Sequence, residues 1–163
     1  TRLKEHLLVS GQRDAFDLVV VDPYYKAAAG LDENSVGDVM KVLREIEKFS
    51  EETNTAIVYA HHYSKGNKSE VDAIDRGSGS GAFGRDPDTK VMMTQHMEDD
   101  CLTVEPKCRN SRTPDPRVVE TTFPTFLPRA DLDPKDLYHP ARLEAYERKR
   151  DAAKAGASGG QPF

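Results

Sequence analysis

What the sequence has little of narrows the field first. Only two cysteines occur, Cys101 and Cys108, too few for a disulfide scaffold or a four-ligand zinc site. They read as two reduced thiols in a cytoplasmic protein. No stretch approaches the ~20 apolar residues of a membrane-spanning helix, so no membrane is expected among the partners. No basic start leads into an apolar run, so no signal peptide is expected. Positive charge is also not in excess. The net charge of −5 argues against a surface that is basic all over, while leaving room for a local basic groove. What remains is 163 residues, 37% hydrophobic and 31% charged, enough for one polar globular domain with a sizeable core.

The chain opens on Thr1 and carries Leu3, Leu7 and Leu8 at helical spacing before Gly11, as the end of a helix would. This reads as a chain that begins inside a domain. Phe16 to Val21 (F-D-L-V-V-V) is a short apolar run rich in β-branched residues, the pattern of a strand buried on both faces of a parallel sheet. It stops at Asp22-Pro23, because Pro23 cannot continue a central ladder. Tyr24 to Asn34 reads as a loop. Ser35, with Asp38 three residues on, predicts a helix start. Val36, Val39, Met40, Leu43, Ile46 and Phe49 predict an amphipathic helix closed near Asn54. Thr55 to Ala60 is a second strand-like run. Strand, helix, strand makes a right-handed βαβ unit with parallel strands.

Gly66 to Gly84 reads as a long polar loop. Asp88 to Gln95, Cys101 to Arg109 and Val118 to Thr122 alternate strand-like with turn-like segments, and Glu98-Asp99-Asp100 suits a hairpin turn. Beyond Phe123 the prolines at 124, 128, 134 and 140 change the character of the chain. A charged helix is expected over 141–155, then a flexible end from Gly156. The expected division is therefore a core over 1–123 and a proline-rich, charged tail over 124–163.

Open α/β sheets place their chemistry at the carboxyl ends of strands. Here those ends are Asp22 and His61-His62. An apolar strand that delivers an aspartate to a sheet edge is the Walker B arrangement, in which the carboxylate holds Mg²⁺ through water beside nucleotide phosphates. The bland alternative is an aspartate opening a turn before proline. His61, His62, Ser64 and Lys65 follow the second strand. An imidazole there can donate to a phosphoryl oxygen and Lys65 can add a point charge, or the loop simply contains two histidines. A metal site of Asp22, His61 and His62 is awkward, because neighbouring residues on an extended chain point opposite ways.

Gly79, Gly81 and Gly84 spell G-x-G-x-x-G. No strand precedes it, and Arg85-Asp86-Pro87 blocks a helix after it, so the dinucleotide reading is poor. Backbone amides of the loop facing an anion are the better reading. Arg76 and Arg85 flank the loop and could reach a phosphate across a subunit interface. Lys107, Arg109, Asn110 and Arg112 form a basic cluster, with Lys107 and Arg109 on one side if both lie on a strand. They could meet nucleotide or nucleic-acid phosphates, or be a solvated face. Tyr24, Tyr25 and Lys26 could stack on a base or pack the loop.

Taken in order, D-L-V-V-V-D, a helix, A-I-V-Y-A-H-H-Y-S-K-G and R-G-S-G-S-G-A-F resemble the RepA-type branch of RecA-like hexameric ATPases, which includes plasmid replicative helicases and prophage AAA ATPases. The resemblance runs from about Asp17 to Glu120. It implies a RecA-like α/β three-layer core fragment, with a mostly parallel sheet extended by antiparallel strands. It also implies Mg²⁺ and ATP as cofactors, single-stranded DNA as partner, and a homo-oligomeric ring. By position, Asp22 matches the Walker B aspartate and His62 the γ-phosphate sensor, with His61, Ser64 and Lys65 beside it. Arg76, Gly77, Ser78, Gly79, Ser80 and Gly81 match the loop that approaches DNA or the neighbouring subunit. The plasmid helicases place an arginine finger where this chain has Asp88, so Arg85, or Lys107 and Arg109, would take that part.

Two departures matter. No G-x-x-x-x-G-K-[ST] occurs in the 163 residues, so the phosphate cradle and its lysine are absent. The family's water-activating glutamate belongs to an earlier strand and also has no counterpart. The expected function is therefore part of an ATPase that couples ATP hydrolysis to DNA, inactive as this chain alone. The rivals are a non-catalytic interaction domain with a degenerate RecA-like fold, and a metal-dependent hydrolase using Asp22 and His62.

Overall fold

A computed structural model describes residues 16–28, 30–32, 34–62 and 81–158, with side chains to 153. The expected helix over residues 1–12 and most of the Gly66 to Gly84 loop lie outside them. The described residues fall into two compact units, one of 16–62 with 81–87, the other of 88–158. The protein is α/β, with a two-stranded parallel sheet in the first unit and a four-stranded antiparallel sheet in the second. This is compatible with a fragment of a RecA-like fold.

In the first unit β1 (Leu18–Val21) leads into a four-residue helix α1 (Tyr24–Ala27), then the long helix α2 (Val36–Thr53), then β2 (Ala56–Tyr59). The strands run parallel, in register from Leu18 opposite Ala56 to Val21 opposite Tyr59. Helix α2 starts where its cap chemistry says it should. The Asp38 amide donates to Ser35 Oγ at 3.3 Å, satisfying one orphan N–H of the first turn. The Asp38 carboxylate does not return to the Ser35 amide as a full capping box would. It pairs with Lys41 at 2.7 Å and accepts from the Asp32 amide at 3.4 Å. Lys41 holds the Asp38 carboxyl below its ordinary range, with the Asp32 amide adding to this. The helix ends at Asn54, which takes a left-handed conformation at φ 52°, a geometry its short polar side chain tolerates.

Val39, Leu43 and Phe49 are buried on one face of α2, the 3.6-residue stripe of the sequence made physical. Val39 and Leu43 join Tyr24, Ala28, Ala82 and Phe83 in one core cluster. The strands do not match the expectation of burial on both faces. Val19, Val21, Ile57 and Tyr59 are half-buried, whereas Leu18, Val20, Ala56 and Val58 are exposed. Leu18 is 51% and Val20 60% exposed. The β-branched run therefore carries a two-sided pattern, yet among the described residues only one side of the sheet has a layer packed on it. Tyr24–Ala27, expected as loop, forms α1, because Pro23 stands directly before it as N-cap and Tyr24 is drawn into the core.

In the second unit β3 (Thr89–Gln95), β4 (Cys101–Cys108), β5 (Arg117–Thr122) and β6 (Thr125–Pro128) follow one another as antiparallel neighbours. Among the described residues they form a four-stranded sheet of their own. Glu98 to Asp100 makes the expected turn, with Asp100 at φ 55° and the His96 amide donating to the Cys101 carbonyl at 3.0 Å. Strand β6 was not expected. Its prolines hide it in the sequence, but an edge strand tolerates proline, and the Phe123-Pro124 tip turns β5 directly into it. The expected junction at residue 123 thus falls at a hairpin tip.

One face of this sheet buries Met92, Cys101, Thr103 and Val118. The segment that follows β6 lies over it: Thr103 Oγ1 donates to the Pro134 carbonyl, and the Met97 and Tyr138 amides donate to the Asp136 and Gln95 carbonyls. His96 is 1% exposed. Its Nδ1 accepts from the Glu98 amide at 2.9 Å, which leaves the ring proton on Nε2 to donate to the Asp133 carbonyl at 3.0 Å. A 3₁₀ turn (Pro140–Arg142) leads into α4 (Leu143–Ser158). That helix is less solvated than its charge suggests. Arg150 pairs with Glu98 at 3.3 Å, and Tyr146 meets the His96 ring edge-on.

Candidate functional site

The carboxyl-end edge of the parallel pair is the place where chemically capable groups converge. The last register pair is Val21 with Tyr59. The Ala60 amide then donates to the Val21 carbonyl at 2.9 Å, and the Tyr24 amide donates back to the Ala60 carbonyl at 2.8 Å. These two bonds tie the exits of the strands together. Asp22 and His61-His62 therefore leave the sheet from one edge, as parallel pairing requires. Asp22 and His62 are exposed, and His61 is partly covered.

Alternation along the extended chain explains that difference. His61 is two residues beyond Tyr59, so it turns to the same side, toward the core. There its ring stacks on Phe83, with centroids 4.1 Å apart and planes at 25°, and meets Tyr24 edge-on at 5.7 Å. His62 turns the other way, to solvent. The structure thus separates two histidines that the sequence presents as equals. His61 is a packed residue of an aromatic cluster, and His62 is the imidazole available to a ligand at the edge. Among the described residues no group of three or more His, Cys, Asp or Glu side chains could hold a metal ion, so the three-ligand site of Asp22, His61 and His62 is not assembled.

The cluster behind the edge was not legible as part of a site. Tyr24, considered for base stacking, is 1% exposed and is core; Tyr25 beside it is exposed. Tyr59 lies 5.6 Å from the Tyr24 ring. Its hydroxyl is buried, with no hydrogen-bond partner among the described residues. Burial pushes its phenol well above the ordinary value, with Asp86 and Tyr24 adding to the rise. Phe83 belongs to α3 (Ala82–Arg85), a single turn starting right after Gly81. This turn places Phe83 inward and leaves Arg85 exposed.

The other expected residues divide as follows. Ser64, Lys65, Arg76, Gly77, Ser78, Gly79 and Ser80 lie outside the described residues, and Gly81 is the exposed N-cap of α3. Lys107, Arg109 and Arg112 belong to the second unit. Lys107 is exposed on β4, opposite Lys90 of β3. Arg109 lies just past the end of β4. The Arg109 amide donates to the Asp88 carbonyl at 2.8 Å, and Asn110 Nδ2 donates to Asp88 Oδ1 at 2.9 Å.

The first unit also has an apolar cavity of about 420 Å³ on the α2 side of the sheet, lined by Val19, Leu31, Ile46, Phe49 and Ile57 among others. Neither Asp22, His61, His62 nor Arg85 lines it. It is an apolar space between strand and helix.

The strand–helix–strand unit presents a carboxylate and an imidazole at one strand-end edge, where open α/β folds place their ligands. Residues 5–68 match a family model described as an AAA domain. That stretch contains β1, α2, β2 and the whole edge, so the chain is similar there to AAA-type ATPases and supports a nucleotide-dependent ATPase type of function. No curated protein matches the chain. Asp22 fits the role of a carboxylate that holds Mg²⁺ through water, and His62 that of a donor to a phosphoryl oxygen. The loop that would cradle the phosphates has no counterpart in the sequence. None of the described helices is long and apolar enough to cross a membrane.

Proposed function

We propose that this chain is part of a RepA-type, RecA-like ATPase that couples ATP hydrolysis to DNA, in replication or recombination of a plasmid, phage or prophage. The observation that carries the reading is the parallel register of β1 and β2, which brings Asp22 and His62 to one edge. The AAA-domain match over the same elements supports it. In this reading Asp22 positions Mg²⁺, which neutralises charge on the phosphates. His62 donates to the terminal phosphoryl group and senses its departure, with Lys65 and Ser64 beside it. The 76–81 loop meets single-stranded DNA. Arg85, or Lys107 with Arg109, completes the site of a neighbouring subunit in a homo-oligomeric ring, in the cytoplasm.

This reading requires a phosphate cradle from outside these 163 residues, which hold no G-x-x-x-x-G-K-[ST]. Without it the chain neither binds ATP tightly nor turns it over, since the main electrostatic clamp on the transferring group is missing. The test is ATP turnover by the full-length natural protein. Asp22→Ala is expected to lower kcat about 10²-fold or more, the usual scale for losing one electrostatic contact to the reacting group. Unchanged turnover rules the role out. The absent phosphate loop favours one second reading, a non-catalytic interaction domain that keeps the sheet. An upstream reading frame without G-K-[ST] would decide for it.

A further inference from the structure

The geometry points to Phe83 as a positioning residue that locks the His61-His62 strand end to the turn carrying Arg85. This rests on the reading of the edge given above and deepens it.

Phe83 is 4% exposed. One of its contacts is the stack on His61 already described, and another is the edge-on meeting with Tyr24 at 4.9 Å and 89°. Tyr24 is itself fixed by its amide bond to the Ala60 carbonyl and by its contact with Tyr59. Four rings thus join three pieces of chain: the exit of β1, the end of β2, and α3. The backbone bonds within α3, Gly84 to Gly81 and Asp86 to Ala82, are local and hold the turn together. Ala82 and Phe83 are its side chains in the core cluster, and the Phe83 ring reaches the strand end.

Two consequences follow. Phe83 and Arg85 sit two residues apart on one rigid helical turn, so the seat of the phenyl ring sets where the guanidinium projects. His61 is bonded to His62, so a movement of His62 on gaining or losing an anion is transmitted to the stacked ring. Close-packed aromatic groups pass displacement on and do not absorb it. Phe83 is therefore the link by which the state of the edge reaches Arg85.

The experiment uses the full-length natural protein and compares Phe83→Leu, Phe83→Met and Phe83→Tyr with Arg85→Ala. Leu and Met keep apolar burial without the ring, and the pair guards against one of them failing to fold. We expect Phe83→Leu or Phe83→Met to lower kcat about tenfold with KM for ATP within twofold. Phe83→Tyr should restore the rate. Joining Phe83→Leu to Arg85→Ala should give no further loss, because residues acting as one unit are not additive. A spectroscopic arm on the 163-residue chain reads the stack directly: the His61 ring protons lie upfield in the ring current of Phe83, and Phe83→Leu moves them back. Wild-type turnover, or kcat and KM changing together, in the Leu and Met variants overturns the inference. So does full additivity with Arg85→Ala, or an unshifted His61. A protein whose turnover is abolished by Asp22→Ala but spared by Phe83→Leu sinks this inference alone. One with no turnover at all sinks the reading of the edge and the inference together.

Discussion

Tyr59→Phe should stabilise the first unit, against the usual direction of core substitutions. The Tyr59 hydroxyl is buried and has no hydrogen-bond partner among the described residues, while its ring packs at 5.6 Å from Tyr24. A buried hydroxyl without a partner costs about 1–3 kcal/mol in lost hydration. The residue as a whole is only half-buried, so the low end applies. Phenylalanine keeps the ring and its packing and removes only the oxygen, which gives a gain of about 1 kcal/mol. The two compact units need not unfold together, so a single melting curve is a blunt probe. Native-state hydrogen exchange of the α2 and β2 amides reads the first unit by itself. Those amides should exchange about fivefold more slowly in the variant, the factor that ~1 kcal/mol represents. A second signature comes from alkali. Burial raises the folded phenol above its ordinary value of 10, so the folded state holds this proton more tightly than the unfolded chain. That contribution is complete below pH 10 and is lost as the pH climbs toward the folded value. Urea melts followed by circular dichroism should therefore show a loss of stability above about pH 10 that is blunted in Tyr59→Phe. Equal or faster exchange in the variant would mean that the hydroxyl has a partner in solution, and the reasoning would fail.

In the second unit, His96→Ala removes both ring hydrogen bonds and strands the Glu98 amide and the Asp133 carbonyl. The cost is about 3 kcal/mol, seen as roughly hundredfold faster exchange of the Met97 and Tyr138 amides; acceleration below fivefold would show that His96 does not hold the 129–139 segment. Arg129 bonds both Asp131 and Glu120, and its guanidinium brings the Asp131 carboxyl down to about 2. A lowered value means stabilisation that is present above the ordinary 3.8 and fades as the pH falls through about 2. Carbon-13 titration of Asp131 should show that midpoint, and Arg129→Gln should return it toward 3.8; an unmoved midpoint would remove Arg129 as the cause.

The edge works chemically only because the sheet is parallel. With antiparallel strands Asp22 and His62 would leave from opposite ends and share nothing. Parallel pairing in turn needs a crossover, and α2 supplies it: 18 residues capped by Ser35 at one end and Asn54 at the other. Cap chemistry at two positions is thus upstream of the site. Among the described residues one face of this sheet carries no packed layer. Leu18, Val20 and Val58 are exposed apolar residues on strands whose other side is packed, and parallel sheets normally have both faces covered.

Local pattern carried most of what was legible. The α2 stripe, its two caps, both parallel strands and the Glu98 to Asp100 turn each depend on residues within a few positions of one another, and the structure has them where periodicity and turn chemistry put them. Strand β6 was hidden because Pro124 and Pro128 speak against a strand until its edge position is known. The role of Phe83 was hidden for a different reason. In G-A-F-G it is a lone aromatic letter between glycines, and its partner His61 stands 22 positions earlier behind a polar stretch. Nothing in either neighbourhood distinguishes His61 from His62; only the strand alternation counted from Tyr59 does. The same parity makes a one-residue test of the site possible, since a slip of one position at the end of β2 would exchange the packed imidazole for the free one.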